Sequence, residues 1–127
     1  MSFALSSRSR QRLAGVHPRL AAVVERAIAL SPVEFIITEG VRSAARQAAL
    51  VQAGASRTLK SRHLTGHAVD VAARVDGALR WDWPLYGVIA KAFKQAAGEL
   101  DTALVWGGDW PSLRDGPHFE LDRRSFP

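Results

Sequence analysis

Hydrophobic residues recur along the chain with two different periods, which together predict four helices and five strands. The helical period is clearest in residues 18–30, where apolar positions repeat at i, i+3, i+4, i+7 and i+8. These positions form one buried face: Leu20, Val23, Val24, Ala27 and Ile28. Pro18 suits the first turn of this helix, and Ser31-Pro32 ends it.

The other three helices are recognised by the residues that begin and end them. Ser6 or Ser7 can cap a short polar helix to Ala14, and Ser43 can cap a helix from Ala44 to about Ala53. Asp82-Trp83-Pro84 opens a fourth helix that runs to about Glu99. Its predicted core stripe is Leu85, Val88, Ile89, Ala92, Phe93 and Ala96.

Alternating or β-branched segments predict strands at 33–38, 68–75, 78–81, 102–106 and 118–121. In the second strand Val69, Val71 and Ala73 share one face, and Asp70 lies on the other among small residues. A half-buried carboxylate needs a partner, which could be a metal, the neighbouring Arg74 or a backbone donor. In the last strand His118 and Glu120 share a face.

This order of elements predicts an α+β fold in which helices pack against a small, mostly antiparallel sheet. A chain of 127 residues is long enough for one hydrophobic core. We therefore expect residues 1–127 to form a single domain, without repeats or low-complexity segments. The absence of cysteine excludes disulfides and thiolate zinc sites, so any metal would be held by His, Asp or Glu.

The net charge of +5 favours an anionic partner such as nucleic acid, an acidic membrane face or a cell-wall polymer. Basic residues are not interleaved with aromatic ones as in nucleic-acid-binding proteins, so we expect no nucleic-acid partner. No apolar run approaches the ~20 residues of a membrane span. The loop with Arg57, Lys60 and Arg62 is either simply solvated or part of a basic approach to His63.

Two short segments carry the chemistry. Ser61 to Asp70 offers imidazole and carboxylate groups, and Asp115 to Glu120 offers another imidazole with a carboxylate three residues before it. Two His and one Asp suit a catalytic zinc because they leave a fourth position open for water, whose proton Asp115 could take. His63 and His67 have helical metal-binding spacing, but Gly66 and the following strand argue against a helix.

Both segments resemble the signature of the VanY-like zinc peptidases, which are relatives of the D-alanyl-D-alanine carboxypeptidases. The resembling patterns are Ser61-x-His63-x-x-Gly66-x-Ala68-x-Asp70 and Asp115-x-Pro117-His118-Phe119-Glu120. Gly40-Val41-Arg42-Ser43 with Gln47 is similar to the family's arginine segment. Trp106-Gly107-Gly108-Asp109-Trp110 is similar to a loop in its L-alanyl-D-glutamate endopeptidase branch, which includes single-domain phage endolysins.

The resemblance implies a role for each matching residue. The zinc ligands would be His63, Asp70 and His118. Asp115 would be the general base, and Arg42 would steady the substrate carbonyl or the oxyanion, although its position alone also fits a solvated arginine. Ser61 and Gln47 would lie at the substrate cleft, and Glu120 would orient His118. The implied fold is that of the hedgehog and D-alanyl-D-alanine peptidase domains.

The expected function is zinc-dependent hydrolysis of the L-alanyl-D-glutamate bond in peptidoglycan, as in an endolysin that lyses its host. Two alternatives stay open: a D-alanyl-D-alanine carboxypeptidase, and a non-catalytic wall-binding module in which zinc is structural. The N-terminal segment from Met1 to Leu5 lacks an apolar signal region. We therefore expect a monomer made in the cytoplasm that acts on the cell wall after release.

Overall fold

The computed structural model describes residues 2–56 and 58–127 and contains four α-helices, five strands and two 3-10 helices in these ranges. Met1 of the N-terminal segment and Arg57 of the basic loop lie outside the described residues. The α-helices are α1 (Ser7–Arg12), α2 (Pro18–Leu30), α3 (Ala44–Gln52) and α4 (Trp83–Glu99). The strands are β1 (Glu34–Glu39), β2 (Ala68–Val75), β3 (Ala78–Arg80), β4 (Leu104–Trp106) and β5 (His118–Leu121).

The five strands form one antiparallel sheet, which confirms the predicted fold class. The strand order is β1-β2-β5-β4, and β3 pairs with the end of β2. The β1–β2 register shifts between Ile37 and Glu39, which brings Glu39 opposite Asp70. On the other side of β2, Asp70 is paired with His118 of β5. Glu39, Asp70 and His118 therefore lie side by side on three neighbouring strands and form one polar row across the sheet.

The core lies between the sheet and helices α2 and α4, which also contact each other. Phe93 of α4 stacks on Phe119 of β5 with ring centroids 3.9 Å apart, and it lies 5.3 Å from the ring of Phe35 on β1. The five predicted core residues of α2 are all buried. Because apolar residues alternate along the strands, the polar row is left for the opposite face of the sheet.

The buried face of α4 differs from the prediction at Val88, whose exposed fraction is 36%. Tyr86, Ala90 and Ala97 are buried in addition to the predicted Ile89, Ala92, Phe93 and Ala96. Alanine packs where backbones come close and tyrosine has an apolar ring, so the buried face of this helix is wider than the predicted stripe and is turned away from Val88.

Arg62, the last residue of the predicted basic loop, begins a 3-10 helix, Arg62–Thr65. Ser61 caps it, because its Oγ accepts a hydrogen bond from the amide of His63 at 3.2 Å. Gly66 ends it with φ of 76°, a left-handed conformation that suits glycine. The sequence argued against a helix here, and the structure has this one short 3-10 turn, which ends before His67. In the described part of the chain, no helix has the length and apolar character needed to cross a membrane.

Candidate metal centre and active site

Three side chains predicted as metal ligands meet on the polar face of the sheet. His63 comes from the first 3-10 helix, Asp70 from the middle of β2 and His118 from the first position of β5. One ligand atom from each lies within 4.8 Å of the others. Oδ1 of Asp70 is 3.3 Å from Nε2 of His63 and 3.2 Å from Nδ1 of His118.

His63 is fixed by hydrogen bonds to the segment that follows β1. Its Nδ1 lies 2.9 Å from the carbonyl oxygen of Gly40, and its own carbonyl accepts from the amide of Arg42 at 3.0 Å. A carbonyl oxygen can only accept, so Nδ1 carries a proton, and in the neutral ring the lone pair is on Nε2. A side chain at Gly40 would collide with the carbonyl of Arg12, so glycine is required for this close approach.

Nε2 of His63 is buried and has no hydrogen-bond partner among the described residues, although it faces Asp70. Buried polar atoms are rarely left without a partner in folded proteins. At the tetrahedral angle, zinc–ligand bonds of about 2.0–2.1 Å place two ligand atoms roughly 3.3 Å apart. The observed separations around Asp70 match this spacing, and the donor set of two imidazoles and a carboxylate suits zinc.

His118 lies between two carboxylates. Its Nδ1 is 3.2 Å from Oδ1 of Asp70, and its Nε2 is 2.9 Å from Oε1 of Glu120. Burial acts to lower the pKa of His118, but the hydrogen bonds to Asp70 and Glu120 outweigh it and raise the pKa to about 9. Burial likewise acts to raise the pKa of Asp70, yet His118 and His63 hold it well below its usual range. Without a metal, His118 is therefore the cation of this group.

Arg42 reaches the same group from the connection between β1 and α3. Its guanidinium binds Glu39 through two hydrogen bonds of 2.8 Å and lies 3.5 Å from Oδ2 of Asp70. Burial acts to raise the pKa of Glu39, but the bound Arg42 keeps that pKa below its usual value. Arg42 is only 9% exposed, so the solvated alternative considered for it is wrong.

Gln47 lies behind Arg42 and is 1% exposed. Its Oε1 accepts from Arg42 at 2.8 Å, while its Nε2 donates to Oγ of Ser56 at 2.8 Å and to the carbonyl of Thr58. In this position Gln47 orients Arg42 and ties α3 to the following loop. The predicted contact of Gln47 with substrate does not fit this buried placement.

Asp115 lies in the connection between β4 and β5. Its amide donates to the carbonyl of Gly107 at 3.0 Å, and Trp106 Nε1 donates to the carbonyl of Gly116 at 2.7 Å. These bonds hold the connection against the second 3-10 helix, Gly107–Asp109. Burial raises the pKa of Asp115, and the charge of Asp70 raises it further.

An open cavity of about 980 Å³ joins these groups. Its wall includes the three predicted ligands together with Arg42, Asp115 and Ser61. Trp110 also lines it, with its ring centroid 5.2 Å from that of His118. Of the residues predicted as zinc ligands, catalytic groups and cleft residues, six thus border one cavity and Gln47 does not. An open groove of this kind can admit an extended peptide.

A model of the phage L-alanyl-D-glutamate peptidase family matches residues 1–126. The chain belongs to this family. It is 38% identical over 130 residues to the L-alanyl-D-glutamate peptidase of Escherichia phage T5, covering 99% of this chain and 94% of the phage protein. The sequence resemblance to the endopeptidase branch is thereby confirmed.

Solved structures agree with the family assignment. The crystal structure of the Serratia marcescens L-Ala D-Glu endopeptidase ChiX superposes with a TM-score of 0.94 at 48% identity, covering 99% of this chain and 95% of ChiX. The vancomycin-resistance D,D-dipeptidase VanXYg superposes with a TM-score of 0.50 at 20% identity, covering 81% of this chain and 47% of VanXYg. The second likeness concerns the fold alone, and it confirms the predicted type of fold.

Several residues of this family member's site were not predicted from its sequence. Glu39 pairs with Arg42. Arg62, which was predicted only as part of a basic loop, is largely buried and lies with Nε 3.8 Å from Oε2 of Glu120. Gly107 leaves room for the backbone of Asp115, and Arg114 lines the cavity just before that residue. The position of Glu39 three residues before Arg42 was a signal for the first pair. The other contacts join distant segments and have no local signature.

Proposed function

We propose that this protein is a zinc-dependent endopeptidase that hydrolyses the L-alanyl-D-glutamate bond of the peptidoglycan stem peptide. The observation that carries the proposal is the buried Nε2 of His63, which has no hydrogen-bond partner in the described part of the chain and faces Asp70 and His118 in an open cavity. The names of the T5 and Serratia relatives support the choice of bond. Residues 1–127 would act as one catalytic domain, and the site of action would be the cell wall.

His63, Asp70 and His118 would hold the zinc, through Nε2, Oδ1 and Nδ1 respectively. When bound there, zinc would lower the pKa of a coordinated water to about 7 and polarise the scissile carbonyl. His63 presents the required lone pair because Gly40 occupies its other ring nitrogen. His118 would give up the proton on Nδ1 and keep the one that it donates to Glu120.

Asp115 would accept the proton of the attacking water and pass it to the leaving amine of D-glutamate. Its side chain is partly buried and lines the same cavity as the ligand group, so its raised pKa fits a group that must take up a proton and then release it. Proton transfer of this kind requires a carboxylate that is not locked in an ion pair. Among the described residues, no basic side chain forms a salt bridge with Asp115, in contrast to Glu39 and Glu120.

Arg42 would stabilise the negative charge that develops on the carbonyl oxygen. Its guanidinium is held on one edge by Glu39 and at Nη1 by Gln47, so its orientation is set before substrate binds. Ser61 would contact substrate at the cavity wall, although its hydroxyl also caps the 3-10 helix. The net positive charge of the chain would favour binding to the anionic wall polymer.

The test is mass spectrometry of purified peptidoglycan digested by the zinc-loaded protein, beside a chelated control and a zinc-restored sample. We expect products that end in L-alanine together with new D-glutamate amino termini, lost with chelator and regained with zinc. Release of free D-alanine instead would indicate the D-alanyl-D-alanine carboxypeptidase. No cleavage with zinc demonstrably bound would favour the non-catalytic wall-binding module.

A further inference from the structure

The proposed substrate, on which this inference rests, brings an additional negative charge into the cavity. In the stem peptide, the free α-carboxylate of D-glutamate is attached to the same carbon as the scissile nitrogen. It must therefore enter close to the metal centre. Four carboxylates already line the cavity: Glu39, Asp70, Asp115 and Glu120. An additional negative charge is disfavoured there unless an uncommitted cation receives it.

Two of the cavity's arginines are committed to the protein itself. Arg42 is bound on both sides by Glu39 and Gln47. Arg62 donates through Nη2 to the carbonyls of Leu121 at 3.2 Å and Phe126 at 2.6 Å, and its Nε lies near Glu120. Neither guanidinium has a free edge for two parallel hydrogen bonds to a carboxylate.

Two other cations of the cavity wall are poorly fixed. The side chain of Arg123 is 67% exposed, and its Nε lies 3.9 Å from Oε2 of Glu120. Lys60 is exposed, and no described side chain holds its ammonium group. Ordering such a long side chain on a ligand costs conformational entropy, which reduces its contribution to binding.

Arg114 is exposed, as Lys60 is, but two contacts hold its side chain while its Nη groups stay uncommitted. Its Nε donates to the carbonyl of Gly108 at 3.0 Å, and its guanidinium carbon lies 4.8 Å from the ring centroid of Trp83. It lines the cavity immediately before Asp115 in the chain. In residues 2–56 and 58–127, no acidic side chain forms a salt bridge with it and its two Nη groups make no hydrogen bond. They are preorganised for an outside acceptor.

We propose that Arg114 is a specificity-determining residue that binds the free α-carboxylate of D-glutamate through its Nη groups. The neighbouring Asp115 can then reach the leaving nitrogen on the same carbon. The protein therefore distinguishes stem peptides with a free α-carboxylate from those in which this group is an amide. An amide has N–H donors where the carboxylate has an acceptor oxygen, and a guanidinium has no acceptor for them. The amidated peptide therefore binds less well.

The experiment compares two purified muropeptides that differ only in this group, D-glutamate or its α-amide. We expect the zinc-loaded protein to cleave the acid with a kcat/KM about tenfold higher than the amide, because hydrogen bonds to charged groups are stronger than neutral ones. In Arg114→Gln, which keeps a donor for Gly108 but no charge, the ratio should fall toward one. Arg114→Lys should retain part of the preference.

Arg124→Ala is the matched control, because Arg124 is 90% exposed, pairs with Asp122 and lies outside the cavity. This variant should keep the wild-type ratio of kcat/KM for the acid to kcat/KM for the amide. Thermal melting and measurement of bound zinc should show that all variants are folded and contain zinc. An unchanged preference in Arg114→Gln, or equal cleavage of both peptides by the wild type, would overturn the assignment of Arg114. Cleavage of neither peptide by the wild type would instead reject the proposed function.

Discussion

Glu120 accepts a hydrogen bond from the ring nitrogen of His118 that points away from Asp70. Oε1 of Glu120 is 2.9 Å from Nε2, while Nδ1 is 3.2 Å from Oδ1 of Asp70. Both partners follow from the strands, since Glu120 is two residues along β5 and Asp70 is the paired residue on β2. The imidazole is thereby fixed in tautomer and orientation for a metal at Nδ1.

Loss of the Glu120 carboxylate should weaken zinc binding without abolishing it. We expect Glu120→Ala to lower zinc affinity by about 10- to 100-fold, because the ring of His118 is no longer held in one orientation. Glu120→Gln should lose less, since its amide oxygen can still accept from Nε2. Competition with a chromophoric chelator measures the affinity. Glu99→Ala, at an exposed pair with Arg26, is the control, and equal affinities in all three variants would contradict the role of Glu120.

Zinc binding should release protons at neutral pH. Because the pKa of His118 is raised from 6.5 to about 9, the metal-free protein carries both ring protons at pH 7 and must lose one to bind zinc at Nδ1. Zinc affinity should therefore rise with pH until about 9. In the metal-free protein, the raised pKa stabilises the folded state below pH 6.5, and this contribution is lost as the pH rises through about 9.

Calorimetric titration of zinc at pH 7 in buffers of different ionisation enthalpy measures this release. The observed enthalpy should depend on the buffer with a slope near one proton beyond that released by the zinc-bound water. His67→Asn is a suitable control, because His67 is outside the ligand group. A slope unchanged between pH 7 and a pH well above 9 would show that His118 is not the group that loses the proton.

The strand chemistry of the site could be predicted because it depends on local alternation. Asp70 stands out as a charged residue in an apolar strand, and His118 precedes a predictable last strand. Local alternation does not show that these two residues meet, or that His63 lies beside them. Those predictions came from the resemblance to the peptidase family, whose motifs occur in the same order. The helix α2 was predicted with its observed ends because Pro18 and Ser31-Pro32 mark them.

Long-range contacts could not be predicted in the same way. The register shift in β1 places Glu39 opposite Asp70, and one sequence does not show where a strand pair becomes irregular. Gln47 was expected at the cleft because it matches a motif position. A motif match does not show whether the side chain contacts substrate or, as here, another protein side chain. The cation–π contact of Arg114 with Trp83 joins the β4–β5 connection to the first residue of α4, so it depends on tertiary packing.

Removal of the Asp115 carboxylate should separate zinc binding from catalysis. We expect Asp115→Ala to keep the fold and the zinc but to lower hydrolysis by about 10²- to 10⁴-fold, the usual contribution of a general base. Asp115→Asn should behave alike, since it keeps the shape and loses the basicity. Cleavage rates on purified peptidoglycan and bound zinc per protein measure the two properties. Asp109→Ala, at an exposed pair with Lys94, is the control. Undiminished lysis by both Asp115 variants would remove this residue from the mechanism.

A methyl group at Gly107 should disturb the placement of Asp115. A Cβ there would collide with the carbonyl of Asp115 and lie 3.1 Å from Cβ of His118, so the backbone of the β4–β5 connection must shift. We expect Gly107→Ala to lower the free energy of unfolding by about 1–3 kcal/mol, as overpacking does. Its kcat/KM should also fall, because Asp115 and His118 both move.

Gly98→Ala is the matched comparison, because Gly98 is exposed near the end of α4 and no atom lies within 4 Å of its added Cβ. Alanine is a better helix former than glycine, so this variant should be more stable by about 0.5–1 kcal/mol and cleave at the wild-type rate. Denaturant unfolding and muropeptide kinetics on the two variants check both expectations. If Gly107→Ala matched Gly98→Ala in stability and rate, the close packing of Gly107 against Asp115 would not be what positions the base.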